Sequence, residues 1–269
     1  MAAPENRTVS TSHILFEQRG PSAVITFNRP EARNAMTWPM YDALVEHCDA
    51  AERAADVRVV VLRGAGSRAF VAGTDIAQFR TFRTEADGVA YEQRIDTVVG
   101  RLEGLAKPTI AAIDGVTTGG GCALAAACDL RVCTSRSRFG VPIARTLGNC
   151  LSAANHARFL DLIGPARLKE LLFTGRLFTA AEAAAAGLVN RVVEPDALED
   201  VVQEYVADIA ANAPLTIRAS KEMIRRIQAH RRIDSTLGRD LIVSCYTSAD
   251  FREGVSAFLE KRPPRWTGA

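Results

Sequence analysis

The sequence predicts an α/β fold in which strands alternate with helices, followed by a helical C-terminal region. Short apolar runs rich in Val, Ile and Thr alternate with longer stretches of helical spacing as far as about residue 195. Over residues 196–258 the apolar residues keep helical spacing and no strand pattern recurs. We therefore expect an α/β core over residues 11–195 and a helical lobe over residues 196–269.

Four strand patterns lie in the first half of the core, each closed by turn residues, at 23–27, 57–63, 109–113 and 130–134. Stretches of helical spacing separate them at 37–54, 85–105 and 119–128. This alternation is typical of parallel strands joined by helices. Helical patterns at 152–162, 169–173 and 180–186 then precede a fifth strand pattern at 189–193.

Charge and composition argue against several classes of protein. The chain has 33 Lys and Arg against 31 Asp and Glu, and a net charge of +2 gives no reason to expect a nucleic-acid partner. No run of 18 apolar residues is present, so we expect no membrane-spanning helix. The first ten residues lack the apolar segment of a secretory signal, and we expect a cytoplasmic location.

Cysteine and histidine give no sign of a metal site. The six cysteines and four histidines are scattered without the spacing of a zinc site, so we expect no metal. The glycine-rich segments also lack the GxGxxG spacing with a later acidic residue that marks dinucleotide binding. We therefore expect no separate cofactor.

Two glycine-bearing segments, each directly after a strand pattern, carry the candidate chemistry. The first spans residues 70–76 and contains Gly73 and Thr74, and the second spans residues 115–122 and contains Gly119, Gly120 and Gly121. Glycines at a helix start let a ligand approach the backbone, where the amides are free to donate. Two such amides from different loops would form an oxyanion hole. Taken alone, three consecutive glycines more often form a tight turn.

Taken in order, these and other segments resemble the enoyl-CoA hydratase/isomerase (crotonase) superfamily over nearly the whole chain. The matching segments are ITFNRP at 25–30, NAM at 34–36, AGTDI at 72–76, KPTIAAIDG at 107–115, GGG at 119–121, ACDLR at 127–131, LFTG at 172–175, AAGLVN at 185–190 and FLEKR at 258–262. The resemblance implies a crotonase-type core, a spiral of ββα turns. It also implies a C-terminal helical trimerisation lobe and a homotrimer or dimer of trimers.

The resemblance further implies an acyl-CoA thioester as substrate, with coenzyme A as part of that substrate. The amides of Thr74 and Gly120 would hold the thioester oxygen while an enolate forms. The positions implied to contact CoA are Ala32, Arg33, Ala35, Arg68, Ala72, Ile76, Phe258 and Lys261. Phe258 and Lys261 occupy positions where a neighbouring subunit often touches the nucleotide, whereas Arg33 and Arg68 could equally be ordinary surface charges.

The sequence departs from the family at both catalytic glutamates. The glutamate three residues after the middle glycine is replaced by Ala123, and the one after Phe-Gly-X-Pro by Ile143, or by Ala144 if the gap is shifted. Hydration needs a base to activate water and an acid to protonate the α-carbon, and these residues can do neither. We therefore predict an oxyanion hole without the usual hydratase mechanism.

Replacement groups could come from the segment between Ile143 and Leu151. Arg145 could bind a carboxylate or phosphate, Asn149 could position water or a second carbonyl, and Cys150 would need a lowered pKa to react. Two other functions remain open. One is decarboxylation or C–C cleavage of a β-carbonyl or malonyl-type CoA thioester, and the other is acyl-CoA binding without catalysis.

Overall fold

The computed structural model describes residues 9–11 and 13–269, which form two β-sheets and ten α-helices. The strands are β1 Val9–Thr11, β2 Ile14–Arg19, β3 Ser22–Phe27, β4 Val59–Gly64, β5 Ala69–Val71, β6 Thr109–Ile113, β7 Val116–Thr118, β8 Leu130–Thr134, β9 Arg138–Gly140, β10 Phe178–Thr179 and β11 Arg191–Val193. The helices are α1 Trp38–Arg53, α2 Glu85–Glu103, α3 Gly120–Ala127, α4 Ile143–Thr146, α5 Ala153–Thr174, α6 Ala180–Ala185, α7 Leu198–Ala211, α8 Pro214–Arg231, α9 Arg239–Thr247 and α10 Ala249–Leu259.

The large sheet has seven strands in the order β1-β2-β3-β4-β6-β8-β11. From β3 to β11 every neighbouring pair is parallel, while β1, β2 and β3 pair antiparallel. The five predicted strands are the five parallel ones, so the predicted α/β core is confirmed. A parallel strand is covered on both faces of the sheet, so nearly all of its residues are apolar. This is why these strands can be recognised in the sequence.

The smaller sheet has four strands in the order β10-β9-β7-β5, and the sequence patterns do not predict it. Its strands have only two or three residues each, too few to show a repeating pattern. This sheet nevertheless sets the geometry of the site. Because β5 and β7 pair in parallel, the loops that follow them leave the same edge of the sheet side by side.

One face of the large sheet packs against α7. Val201, Val202 and Val206 of this helix are buried in a cluster with sheet valines such as Val59 and Val61. The boundary predicted at residue 195 falls just before this helix, and the division of the chain into two parts remains a prediction.

The last helices divide between packing on the core and facing outward. Side chains of α9 and α10, including Tyr246 and Phe251, form a third buried cluster with Phe79 and Leu147. By contrast, α8 has no buried residue. Instead it exposes a series of large apolar side chains, Leu215, Met223, Ile224 and Ile227, each more than half accessible.

Helix α5 joins stretches that the sequence suggested were separate. It changes direction at Gly164, whose φ of 68° and ψ of 171° are not helical, immediately before Pro165. Among the described residues, no helix combines the length and the apolar character needed to cross a bilayer.

Candidate active site

A cavity of about 690 Å³ lies beside the two glycine-bearing loops, between α2, α4 and the end of α10. Most of the residues singled out in the sequence line it. They are Ala32, Arg33, Ala35, Ala72, Thr74, Ile76, Gly120, Ala123, Ile143, Arg145, Asn149, Phe258 and Lys261. Arg68 and Cys150 are not among the lining residues.

The first loop turns at Gly73 and presents the amide of Thr74. Gly73 has a φ of +93°, a conformation that side-chain-bearing residues rarely adopt. Met36 N donates to Gly73 O at 2.8 Å and Asp75 N donates to Met36 O at 2.9 Å. These bonds fix the residues on both sides of Thr74, while its own amide has no acceptor among the described residues.

The second loop presents the amide of Gly120 at the start of α3. Gly119 N donates to Gly140 O at 3.0 Å, and Gly119 has a φ of +53°. As the first helical residue, Gly120 has no intrahelical acceptor for its N–H. A Cβ placed on Gly120 would lie 3.9 Å from Thr74 N, so the two residues lie close together at the cavity. We call Thr74 N and Gly120 N the amide pair.

The side chain of Thr74 forms hydrogen bonds with two tyrosines. Its hydroxyl lies 2.7 Å from the Tyr41 hydroxyl and 2.9 Å from the Tyr91 hydroxyl. Burial raises the pKa of both phenols, so they remain neutral hydrogen-bonding groups. The hydroxyl of Thr74 therefore anchors the loop at the cavity.

The two glutamate positions of the resemblance both lie at the cavity. Ala123 is only 1% exposed and Ile143 packs against the main core. Neither side chain can transfer a proton, so this part of the wall is apolar.

An acidic residue that the sequence analysis missed also lines the cavity. Glu92 of α2 lines the cavity and is 4% exposed. Tyr246 donates its hydroxyl to Glu92 Oε1 at 2.6 Å, and Ser152 N donates to Oε2 at 3.0 Å. Burial raises the pKa of Glu92 to about 8, although these two hydrogen bonds act in the opposite direction.

One sequence signal could have found Glu92. The apolar stripe of α2 includes Ile95, Val99 and Leu102, and Glu92 lies on the same face by helical spacing. An acidic residue on a buried stripe is unusual unless it has partners or a function. Its partners, Ser152 and Tyr246, are 60 and 154 residues away in sequence, so no local motif reveals them.

Asn149 links this carboxyl group to the segment where replacement groups were expected. Its Nδ2 donates to the Tyr246 hydroxyl at 3.0 Å, while its buried Oδ1 has no partner among the described residues. We call Glu92, Asn149, Ser152 and Tyr246 the acid cluster.

Cys150 lies next to Asn149 in sequence but is directed elsewhere. Its Sγ donates to Leu241 O at 3.7 Å. A hydrogen bond with Cys245, together with burial, raises the pKa of Cys150. A raised pKa opposes thiolate formation, and the structure thus gives no support for Cys150 as a base or nucleophile.

The enoyl-CoA hydratase/isomerase family model matches residues 18–269. The chain belongs to this family. It is 36% identical over 254 residues to the short-chain-enoyl-CoA hydratase of Clostridium acetobutylicum, covering 93% of this chain and 96% of that enzyme.

Solved structures show the same fold. An enoyl-CoA hydratase/carnithine racemase from Magnetospirillum magneticum is 36% identical with a TM-score of 0.79, covering 97% of both chains. Methylmalonyl-CoA decarboxylase in complex with 2-nitronate-propionyl-CoA is 28% identical with a TM-score of 0.89, covering 97% of this chain and all of the other. The predicted crotonase-type fold is confirmed.

In this family member all the positions implied to contact CoA except Arg68 line one cavity. Phe258 and Lys261 line the cavity of their own chain, and their contact with the nucleotide from a neighbouring subunit stays a prediction. The side chain of Arg68 is exposed, and its carbonyl accepts from Val116 N at 3.0 Å. The structure does not bring Arg68 to the cavity.

Proposed function

We propose that the protein catalyses a reaction of an acyl-CoA thioester in which the amide pair holds the thioester oxygen while an enolate forms. The observation that supports this proposal is that two unpartnered backbone amides, Thr74 N and Gly120 N, lie close together at one cavity. Donors placed where negative charge develops stabilise the transition state by about 2.7–4 kcal/mol each.

The polar rim of the cavity suits a charged, CoA-bearing substrate. Arg33, Arg145 and Lys261 bring three cationic side chains to it. Guanidinium and ammonium groups pair well with phosphate and carboxylate oxygens. In this proposal coenzyme A belongs to the substrate and no separate cofactor takes part.

Ordinary hydration of an enoyl-CoA is not the reaction we favour. Ala123 and Ile143 leave the corresponding wall apolar, so neither can activate water there. The chemistry we propose for the amide pair needs only that charge develop on the thioester oxygen.

Decarboxylation or C–C cleavage of a malonyl-type CoA thioester is a second candidate. Loss of CO₂ leaves an electron pair that becomes the enolate directly, so no base is needed to form it. Two observations favour this reaction, namely the apolar side chains at both glutamate positions and the overlap with methylmalonyl-CoA decarboxylase. Arg145 offers a cation for the substrate carboxylate.

Calorimetry and a turnover panel test these proposals together. We expect acetyl-CoA to bind and NAD not to bind, and we expect methylmalonyl-CoA to be consumed faster than crotonyl-CoA. No affinity for any short acyl-CoA would overturn the proposed function. Binding without turnover of any thioester would instead assign the protein to acyl-CoA binding.

We also propose that the chain assembles as a trimer or a dimer of trimers. The apolar side chains of α8 are exposed in the single chain, with Leu215 77% and Met223 58% accessible. Exposed apolar faces of this kind mark surfaces that another chain covers. Light scattering should give a mass of three or six chains, and a monomer at micromolar concentration would contradict the proposal.

A further inference from the structure

We propose that Glu92 is the proton-transfer residue of this active site, exchanging a proton with the α-carbon of the thioester held by the amide pair. The inference rests on the proposed acyl-CoA function and adds a residue to it. It assigns acid–base chemistry to α2, whereas the positions of the two usual glutamates, Ala123 and Ile143, lie on α3 and α4.

Position distinguishes Glu92 from the other acids at the cavity. Glu31 has a side chain that is 70% exposed, and Asp75 is committed to an ion pair with Arg29 at 2.6 Å and to capping the turn that follows it. Glu92 is buried and shares the cavity with Thr74 and Gly120. It is therefore the one of these three acids placed to meet the acyl part of a substrate.

The two donors to Glu92 stabilise its charged form without using all of its acceptor capacity. Tyr246 donates to one carboxyl oxygen and Ser152 N to the other. A carboxylate oxygen has two lone pairs, so each oxygen keeps one that can take a proton. This arrangement lets the group gain and lose a proton while its position stays fixed.

Close packing of α2 and α9 is what brings Tyr246 to Glu92. Gly88 lies one helical turn before Glu92, and a Cβ there would lie 2.5 Å from the Cβ of Tyr246. Only glycine allows this approach. Asn149 then donates to the Tyr246 hydroxyl and extends the hydrogen-bonded chain back to the cavity wall.

The surroundings of Glu92 favour its neutral form at rest. Burial is the largest influence on its pKa, and the nearby charge of Asp96 adds to it. The other titratable groups that act with it are the hydroxyls of Tyr41, Tyr91 and Tyr246 and the thiol of Cys150. With a pKa of about 8, Glu92 is mostly protonated at pH 7 and is ready to donate.

The proton transfer is balanced in both directions. From the enolate, the α-carbon takes the carboxyl proton of Glu92, the C–H bond forms, and the thioester C=O is restored. Glu92 is left as a carboxylate, hydrogen-bonded by Tyr246 and Ser152, and regains a proton from water. In reverse, the carboxylate removes an α-proton from a resting acyl-CoA and the electron pair passes to the oxygen at the amide pair.

Exchange of the α-protons of propionyl-CoA in D₂O, followed by mass spectrometry, measures this step without knowledge of the physiological reaction. We expect wild-type exchange, and we expect Glu92→Gln to lower it at least about 100-fold while propionyl-CoA still binds. The matched control is Glu103→Gln, the same change on the same helix, away from the cavity and in contact with Arg158 and Arg232. The Glu103→Gln variant should have a lower free energy of unfolding and the same rate of α-proton exchange as the wild type.

The pH profile gives a readout that a structural role would not change. Removal of an α-proton needs ionised Glu92. The value of kcat/KM for exchange should therefore increase with pH and level off, with the midpoint of the increase near pH 8. The hydrogen bond from Tyr246 lowers the pKa of Glu92, so Tyr246→Phe should move that midpoint to higher pH and retain the pH-dependent rise.

Three results would overturn the assignment. The first is normal exchange by a folded Glu92→Gln enzyme. The second is a wild-type enzyme that binds propionyl-CoA but does not exchange its α-protons, which would leave the proposed acyl-CoA function standing. The third is a midpoint that Tyr246→Phe does not move. A protein that binds neither propionyl-CoA nor any other short acyl-CoA would overturn the acyl-CoA function and this inference with it.

Discussion

The amide pair and the acid cluster both contribute residues to one cavity, but they differ in the kind of group they use and in how far apart their members lie in sequence. The amide pair comes from two short loops, each continuous in sequence, after β5 and β7. The acid cluster gathers Glu92, Asn149, Ser152 and Tyr246 from α2, from the segment before α5, and from α9. The first depends on backbone and glycine, the second on side chains that meet only in the folded protein.

This difference predicts how each part tolerates change. A backbone amide survives most substitutions at its own residue, because every amino acid except proline keeps the N–H. A side-chain cluster loses its chemistry when one member is replaced or when the helices that carry it shift. Mutations should therefore affect the two parts differently, and the following predictions are ordered from the largest expected effect to the smallest.

The largest effect expected is on hydration of crotonyl-CoA by the wild-type protein. A positioned acid–base group contributes roughly 10²–10⁴-fold, and both usual groups are absent at Ala123 and Ile143. We expect feeble hydration, measured by loss of enoyl absorbance. Turnover of about 10 s⁻¹ or more would show that some other side chain replaces both glutamates, with Glu92, Arg145 and Asn149 the first residues to test.

Gly120→Pro breaks the amide pair alone. It removes one donor, and we expect turnover of any acyl-CoA substrate to fall about 100-fold or more. Proline is tolerated at the first position of a helix, which is where Gly120 lies, but its Cβ would lie 3.1 Å from the Tyr41 hydroxyl, so the variant must be shown to be folded before its turnover counts. Circular dichroism and acyl-CoA turnover together check this. A folded variant with full turnover would remove Gly120 N from the mechanism.

Gly88→Ala disturbs the acid cluster without touching any of its members. The added methyl would lie 2.5 Å from Tyr246 Cβ, so α9 must move away from α2 at a cost of about 1–3 kcal/mol. We expect a lower melting temperature and slower α-proton exchange. Gly100→Ala on the same helix is the control, since its methyl would come no nearer than 4.0 Å to Arg158. Equal behaviour of the two variants would contradict the packing argument.

Thr74→Ala should change activity least. The amide of Thr74 remains, but the Tyr41 and Tyr91 hydroxyls lose a buried partner, at a cost of about 1–3 kcal/mol in the free energy of unfolding. Thr74→Ser keeps the hydroxyl and should stay near wild-type stability in urea unfolding. Turnover as low in Thr74→Ala as in Gly120→Pro would mean that the threonine hydroxyl takes part in the chemistry.

Local sequence patterns locate the amide pair but not the acid cluster, for a physical reason. A strand followed by a glycine-bearing loop is a short-range pattern that marks both loops, and the resemblance to the family then points to the amides of Thr74 and Gly120 within them. The same reasoning places the replacement groups in the segment that contains Arg145, Asn149 and Cys150. The structure brings Arg145 and Asn149 to the cavity, turns Cys150 away and adds Glu92.

The sequence by itself determined the family, the parallel strands of the large sheet, and the loss of both usual glutamates. The strands follow from residue type and short-range spacing along the chain, whereas the family and the glutamate positions at Ala123 and Ile143 follow from the resemblance of many segments taken in order. Tertiary structure alone decided that an acid on an apolar helical stripe faces the cavity and which groups hold it there. Glu92, Ser152 and Tyr246 are far apart in sequence, and the close packing of α2 and α9 at Gly88 brings Tyr246 within 2.6 Å of Glu92.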